Sequence, residues 1–322
     1  MYCMTFDITI GSYRVLAVDR VTVKRSVETL CNTAVIVLPG TVHNKALEVE
    51  SQLKRGDKVV IRLGYDEKLE TEFEGYLTSI STDANAITLE CEDGIYLYRK
   101  GLEDREMKNI SVKDILTHVN REISASLQQP LSLSCDVELS YPRFIIRNMT
   151  GYDVLKKIQR EAGSNISMKE NTLHVHPPLT QEAEKLTYDF AVNIESADLK
   201  YVSEEGVKFQ LVYQARGENG EVIEARAGSG GGEREVRSFA GVQTTKSLQE
   251  LVDSGFKKIV YTGYEGSFNT WLIPFCDAGY QATLKDRDHE YREGSYYVLS
   301  VETTFSNAGG VRKITIGEKI ES

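Results

Sequence analysis

Arg55-Gly-Asp-Lys-Val-Val-Ile-Arg-Leu63, followed by Glu74-Gly-Tyr-Leu-Thr-Ser-Ile80 and then Ile87-Thr-Leu89, decides how this chain of 322 residues is read. Val59, Ile61 and Leu63 alternate with polar neighbours, as do Ile87, Leu89 and Cys91. A period of two puts apolar side chains on one face of a strand and leaves the other face to water. Late in the chain the pattern returns as Ala278-Gly-Tyr-Gln-Ala-Thr-Leu284, Glu293-Gly-Ser-Tyr-Tyr-Val-Leu-Ser-Val301 and Ile314-Thr-Ile316. Both places share one order: a glycine, an alternating strand, a variable turn, Glu-Gly, a second alternating strand and a third strand. Glycine followed by a strand is common in β proteins, so the shared order carries the reading of an internal duplication, and no single motif does.

Duplication has a physical consequence. One module alone leaves sheet edges unpaired, and proteins pair or cover such edges. Two similar modules in one chain let an odd-numbered oligomer present an even-numbered ring, so three copies supply six equivalent edges.

Working outward, Phe6, Ile8 and Ile10 also alternate, and Gly56-Asp57, Gly64-Tyr65 and Asp93-Gly94 punctuate the first hundred residues as turns. Short strands at this spacing, with no long helix between them, point to a barrel or sandwich. The character changes after Gly101. Ser111 caps a helix carrying Val112, Leu116, Val119 and Ile123, with Asp114 as its cap partner. Thr150 and Asp153 open a second helix, with Val154, Leu155, Ile158 and Ala162 on one side and Gly163 at its end. Strands over 166–169 and 172–176 follow, joined by Glu170-Asn171 and stopped by Pro177-Pro178. From Leu186 strands return, with Asn219-Gly220 as a hairpin turn and a short helix over 247–254, boxed by Ser247 and Glu250 and stopped by Gly255. The expected fold is mainly β, with two related β-barrel domains, 1–102 and 181–322 (the second with one helix), flanking a small α/β insert at 103–180.

Composition narrows the function classes. Hydrophobic residues make up 41% and charged residues 27%, an ordinary globular balance with enough chain for two or three cores. No apolar run approaches the ~18 residues of a membrane helix. Met1 to Ile10 alternates and lacks a basic n-region, so no secretory leader is expected and synthesis in the cytoplasm is. Cys3, Cys31, Cys91, Cys135 and Cys276 form no CxxC pair, which removes zinc ribbons and redox motifs. Cys31, Cys91 and Cys135 sit in alternating segments and read as buried free thiols, in keeping with a reducing compartment. Acidic residues outnumber basic ones 48 to 38, a net charge of −10. A basic stripe for nucleic acid is not visible. Lys54-Arg55 and Lys156-Lys157 with Arg160 are short, interleaved with carboxylates and best read as solvated faces.

No constellation carries catalysis. His174 and His176 would share one strand face, but no third metal ligand is near in sequence. Asp286, Asp288 and Glu290 alternate before Glu293-Gly294, yet lack the glycine and the twelfth-position Glu of an EF-hand, so a solvated turn is expected. Gly228-Ser-Gly-Gly-Gly232 lacks the Gly-Lys-Ser/Thr ending of a phosphate cradle and reads as a loop. There is no Gly-x-Ser-x-Gly elbow, and His43, His118, His174, His176 and His289 have no recognisable Ser or Cys partner in sequence. The abundant carboxylates are unpositioned. The expectation is a protein that is not an enzyme, with no catalytic, cofactor or metal residues and no cofactor.

Arg55-Gly-Asp-Lys-Val-Val-Ile-Arg-Leu-Gly-Tyr65, leading to Phe73-Glu-Gly-Tyr-Leu77, resembles the first barrel of phage baseplate hub proteins, the late control protein D family. That family includes the hub part of type VI secretion spike proteins. Asn148-Met-Thr-Gly-Tyr-Asp-Val-Leu-Lys-Lys-Ile-Gln-Arg-Glu-Ala-Gly163 is similar to a helix of the family's α/β insert. Gly294-Ser-Tyr-Tyr-Val-Leu-Ser-Val301 and Gly310-Val-Arg-Lys-Ile-Thr-Ile-Gly317 are similar to its closing strands. The resemblance implies a homotrimer whose six barrels form a pseudo-sixfold ring, adapting a tail tube on one side to a spike on the other. With the chain ending at Ser322, the spike is expected to be a separate polypeptide. Expected partners are therefore the chain itself, a tail tube protein, a separate spike protein and other baseplate proteins. Assembly in the bacterial cytoplasm and a final place in a virion baseplate or injection particle follow. The acidic balance suggests a lumen that repels DNA or a tape-measure protein. A competing class is a cell-wall or carbohydrate-binding module, for which Tyr264, Tyr296 and Tyr297 are the candidate aromatics.

Overall fold

The period-two segments of the sequence become strands in the computed structural model, which describes residues 3–42, 45–46, 49, 52–83, 85–177, 184–217, 220–242 and 244–320. The first stretch holds β1 (Met4–Ile10), β2 (Tyr13–Arg14), β3 (Arg20–Ser26), β4 (Thr33–Pro39), β5 (Thr41–Val42), β6 (Lys45–Ala46), β7 (Lys58–Tyr65), β8 (Lys68–Thr82) and β9 (Ala86–Glu92). Next come β10 (Arg105–Ser111), α1 (Val112–Leu127), β11 (Ser132–Cys135), β12 (Ser140–Ile146), α2 (Gly151–Ala162), β13 (Asn165–Lys169) and β14 (Thr172–His176). The remainder holds β15 (Lys185–Asp189), β16 (Ile194–Val202), β17 (Phe209–Arg216), β18 (Val222–Gly228), β19 (Glu233–Val242), α3 (Thr245–Ile259), β20 (Gly263–Thr270), β21 (Gln281–Lys285), β22 (Gly294–Ser306) and β23 (Gly309–Ile320). His43, Pro178 and Asn219, each singled out in the sequence, lie outside the described residues.

The chain divides into two units. One comprises Met1–Tyr96, Ala183–Leu199 and Gly266–Ser322; the other comprises Leu97–Glu182 and Lys200–Glu265. In the first, a 13-stranded sheet runs in the order β16-β20-β23-β22-β3-β4-β9-β8-β7-β1-β2, with β21 on β22 and β15 on β21. Among the described residues that order is an open path and does not close into a barrel. Ile8, Ile10, Val21, Val23, Ile36 and Leu89 share one core, so β1, β3, β4 and β7 to β9 present their apolar faces to each other. Buried apolar area of this size is the main source of stability.

The second unit holds a five-stranded sheet, β10-β12-β19-β17-β18, and a three-stranded sheet, β11-β14-β13. Both sequence-read caps of the insert form. Ser111 Oγ accepts the N–H of Asp114, and Thr150 with Asp153 makes a reciprocal capping box. The third helix differs from its reading. It starts at Thr245, capped by Thr244 with Ser247 at its third position, and runs through Gly255 to Ile259. Gly255 does not stop the helix because it is a packing residue: a Cβ there would collide with the hydroxyl of Tyr213 on β17. Leu248 and Val252 of α3 bury against Leu211, Tyr213 and Ala225.

Candidate functional site

Lys54-Arg55-Gly56-Asp57 and Asp277-Ala278-Gly279-Tyr280 build the same turn. Asp57 N–H donates to Lys54 O (3.0 Å) and Tyr280 N–H to Asp277 O (3.3 Å). The glycines hold φ of +92° and +91°, the third position of a type II turn. Gly56 N–H then donates to Leu77 O (2.8 Å), and Leu77 N–H returns to Asp57 O (2.9 Å). Gly279 and Val298 repeat the exchange at 2.8 Å, with Val298 N–H returning to Tyr280 O at 2.9 Å. Beyond it both modules carry a bulge at the same place, between Leu77 and Ser79 and between Val298 and Ser300. A glycine turn, an exchange and a bulge in one order make the two segments copies of one module.

The pairing also sets the alignment of the copies. Leu77 pairs with Cys91 where Val298 pairs with Ile316, and Ile36 faces Leu89 where Phe268 faces Ile314. Leu89 is therefore the counterpart of Ile314, and Ile87 of Arg312. The Ile-Thr-Leu and Ile-Thr-Ile triplets that look alike in sequence sit two residues out of step, as do the two Glu-Gly pairs. The modules differ at their entry: β1 joins β7 antiparallel, whereas β15 joins β21 parallel.

β3, from the first module, lies antiparallel on β22 of the second, from Arg20 against Ser306 to Ser26 against Ser300. Beneath this junction is a buried ion cluster that sequence reading did not find. Glu72 Oε2 accepts from Arg25 Nη2 (2.9 Å) and from Thr303 Oγ1 (3.2 Å), while Glu72 Oε1 accepts from Arg312. Arg312 also donates to the carbonyls of Leu272 and Pro274, and Phe275 lies under both guanidinium groups, at 4.7 Å from Arg25 and 5.3 Å from Arg312. Arg312 is fully buried and Glu72 nearly so. Arginine suits this place because its planar fork reaches carboxylate and carbonyls together. The available signals are arginines at inward positions of alternating strands, Arg25 after Val21 and Val23 and Arg312 before Ile314.

The opposite face of the same strands is polar and half-exposed. Thr22, Thr88, Ser267, Ser300, Thr304 and Thr315 stand on it, and Lys24 pairs with Glu302 at 3.4 Å. Among the edges of the long sheet that have no strand partner in the described residues, two lie at corresponding places of the repeat. One is the outer edge of β16, at the end of the sheet. The other is the last part of β8, because β7 covers β8 only as far as Tyr76.

His174 and His176 share one face of β14, their rings 5.8 Å apart. His176 Nδ1 lies 2.7 Å from Asp136 Oδ2 and its Nε2 3.4 Å from Ser134 Oγ, a Ser–His–Asp order that sequence reading missed because the partners lie 40 and 42 residues away, on the parallel neighbour β11 and just past its end. The Asp136 side chain is 71% exposed, whereas a carboxylate that orients a catalytic imidazole is shielded. The group ties edge strand β11 to β14. Among the described residues no three His, Cys, Asp or Glu are arranged to hold a metal. Asp286 is buried and caps its own turn, Oδ1 accepting the N–H groups of Asp288 and His289 (each 3.1 Å) and Oδ2 accepting Arg292 (3.0 Å). His118 lies on α1 beside Arg121 and Glu122, and His289 stacks near Tyr291. The glycine run joins β18 to β19, and the residues after it form a strand. Tyr264, Tyr296 and Tyr297 are buried, so none presents an open ring to a sugar. Cys91, Cys135 and Cys276 are buried free thiols, Cys31 is half-buried and Cys3 exposed.

This fold is that of tail proteins. The chain matches the prophage MuSo2 43 kDa tail protein from Shewanella oneidensis over 97% of both chains, at 13% identity and a TM-score of 0.66. It matches a tail protein from Neisseria meningitidis MC58 over 98% of this chain and 97% of that one, again at 13% and 0.66. The Escherichia coli c3393 protein, a type VI secretion system component, matches over 98% of this chain and 77% of its own, at 10% and 0.65. Residues 3–253 match the family of the Alg8 N-terminal domain, and the chain belongs to that family. No curated relative matches the chain.

Proposed function

We propose that this chain is a structural hub of a contractile phage tail or related injection particle, with the architecture of the late control protein D group. Three copies form a pseudo-sixfold ring that joins a tail tube to a separate spike protein, within a baseplate assembled in the bacterial cytoplasm. Domains 1–102 and 181–322 are the two related halves of each copy, and 103–180 is the insert between them. The duplicated module carries this reading. Two copies of one turn, exchange and bulge in a single chain are what a threefold particle needs to match a sixfold neighbour. The shared fold with tail proteins supports it.

The polar sheet face refines the expected lumen. Its hydroxyls stand among charges of both signs, Lys24 and Lys313 beside Glu302 and, further along, Glu90 and Glu92, so the face is polar and of mixed sign and not uniformly acidic. No chemistry is assigned to any side chain, and the buried Tyr264, Tyr296 and Tyr297 count against the carbohydrate-binding alternative.

Light scattering of the purified chain tests the proposal. Three copies are expected at micromolar concentration; a strict monomer at the highest attainable concentration overturns it. In a pull-down on purified peptidoglycan the protein is expected to stay in the supernatant, and retention would favour the cell-wall reading.

A further inference from the structure

We infer that β16 of one copy adds, antiparallel, to residues 79–82 of β8 in the next copy, carrying the long sheet from chain to chain. The inference rests on the ring reading above and names the strands that close the ring.

The internal repeat supplies the template. Within one chain, β3 seats on the edge of β22 beyond β21. By the register of the copies, residues 300–303 of β22 correspond to 79–82 of β8. β7 does not reach that part of β8. β4 corresponds to β20, because Ala34, Val35, Ile36, Val37 and Leu38 face β9 as Gly266, Ser267, Phe268, Asn269 and Thr270 face β23. The neighbour of β4 is β3, and the neighbour of β20 is β16. Hence β16 is the second module's version of β3, and β8 the first module's version of β22. Each chain satisfies one such junction internally and leaves the β16 edge and the far end of β8 without the matching strand.

Side-chain contacts fix the register. Asn269 Nδ2 donates to Ser196 Oγ (2.9 Å) and Lys200 pairs with Glu265 (3.4 Å), which aligns Ser196 with Arg20 and Lys200 with Lys24. Since Lys24 faces Glu302 and Arg25 faces Val301, Lys200 of one copy faces Ser81 of the next, and Tyr201 faces Ile80. Tyr201 is 53% exposed in the single chain, a large apolar group that this pairing covers. One residue further, Asp198 would meet Asp83 past the end of β8, so the added ladder stops at Leu199 against Thr82. Donor and acceptor are different surfaces, so the contact is head-to-tail and closes only as a ring. An unpaired edge of this kind is the ordinary template for strand addition.

Cysteine pairing reads the register directly, because opposed residues of antiparallel strands bring their Cβ atoms within about 5.5 Å. In a Cys3→Ser background, which removes the exposed native thiol, Ser81→Cys and Lys200→Cys are placed together in the full-length chain and oxidised mildly. The expected result on a non-reducing gel is covalent dimer and trimer, reversed by reductant. Chains carrying either cysteine alone stay monomeric on the gel, while an equal mixture of the two single variants gives dimer and nothing larger. Trimer by light scattering with no disulfide from the double variant overturns the strand addition and leaves the ring reading standing. Monomer by light scattering with no disulfide overturns both. Cross-linked ladders longer than three support the strand addition and overturn closure in threes.

Discussion

Glu72 is the residue on which the two modules converge, since both buried arginines and Thr303 reach its carboxylate. Removing one member of a buried ion group leaves uncompensated charge, which costs far more than the intact group contributes. Glu72→Ala is therefore expected to destabilise by about 3–5 kcal/mol, read from the urea midpoint; a loss below about 1 kcal/mol would show that Arg25 and Arg312 are held by the carbonyls alone. Asp93 makes a different prediction. Its carboxylate accepts the N–H groups of Asn32 (2.9 Å) and Ile95 (3.0 Å) and the thiol of Cys31 (3.2 Å), yet burial outweighs these and pushes its pKa from 3.8 up to about 6. Between those values the folded chain holds a proton that the unfolded chain has released. Stability from this group is thus full below about pH 4 and is lost as pH rises through 6. Relative to Asp93→Asn, the wild type should lose up to about 3 kcal/mol between pH 4 and 7. A difference that is flat with pH would show that the carboxyl ionises normally.

At the scale of elements, the glycine turn that opens each module is the common part. Gly56 and Gly279 have nearly the same positive φ, and in neither place would a Cβ meet an atom closer than 3.6 Å. The penalty for a side chain is then backbone strain alone. Gly56→Ala and Gly279→Ala should each cost about 1–2 kcal/mol, and about equally, by thermal unfolding; a wide difference would mean that the turns are not equivalent. The helices show how far element reading reaches. Caps at Ser111 and Thr150 are local hydrogen-bond patterns, and both were legible. The end of α3 was misread because glycine in a sequence marks a stop, whereas Gly255 answers to Tyr213 on another element. The slip between the two triplets has a similar cause. Alternation repeats every two residues, so displacing a strand by two leaves every apolar side chain on the same face. Only the bulges and turns, which pattern does not display, select the register.

For the whole molecule, one chain makes one junction between modules and leaves the matching pair of edges unsatisfied. The proposed assembly through those edges, if permanent, would bury about 2,000 Å² or more and would link stability to concentration. The melting temperature should accordingly rise over a hundredfold increase in protein concentration; an unchanged melting temperature would indicate that the copies do not depend on each other. The charge distribution belongs to this scale too. A net charge of −10 keeps copies soluble, but it does not say which face bears it. Paired charges and hydroxyls on the exposed side of the long sheet became visible only once strands from both ends of the chain were side by side.

The sequence by itself determined the strand-rich character, the repeat, both capped helices of the insert and the want of a recognisable catalytic motif. Each of these is written in residues that are neighbours along the chain. Tertiary structure alone decided the register of the copies, the seating of β3 on β22, the Arg25–Glu72–Arg312 cluster and the two open edges. Those depend on residues as far apart as Arg20 and Ser306, and no periodicity in a one-dimensional pattern records which distant strand will supply the partner.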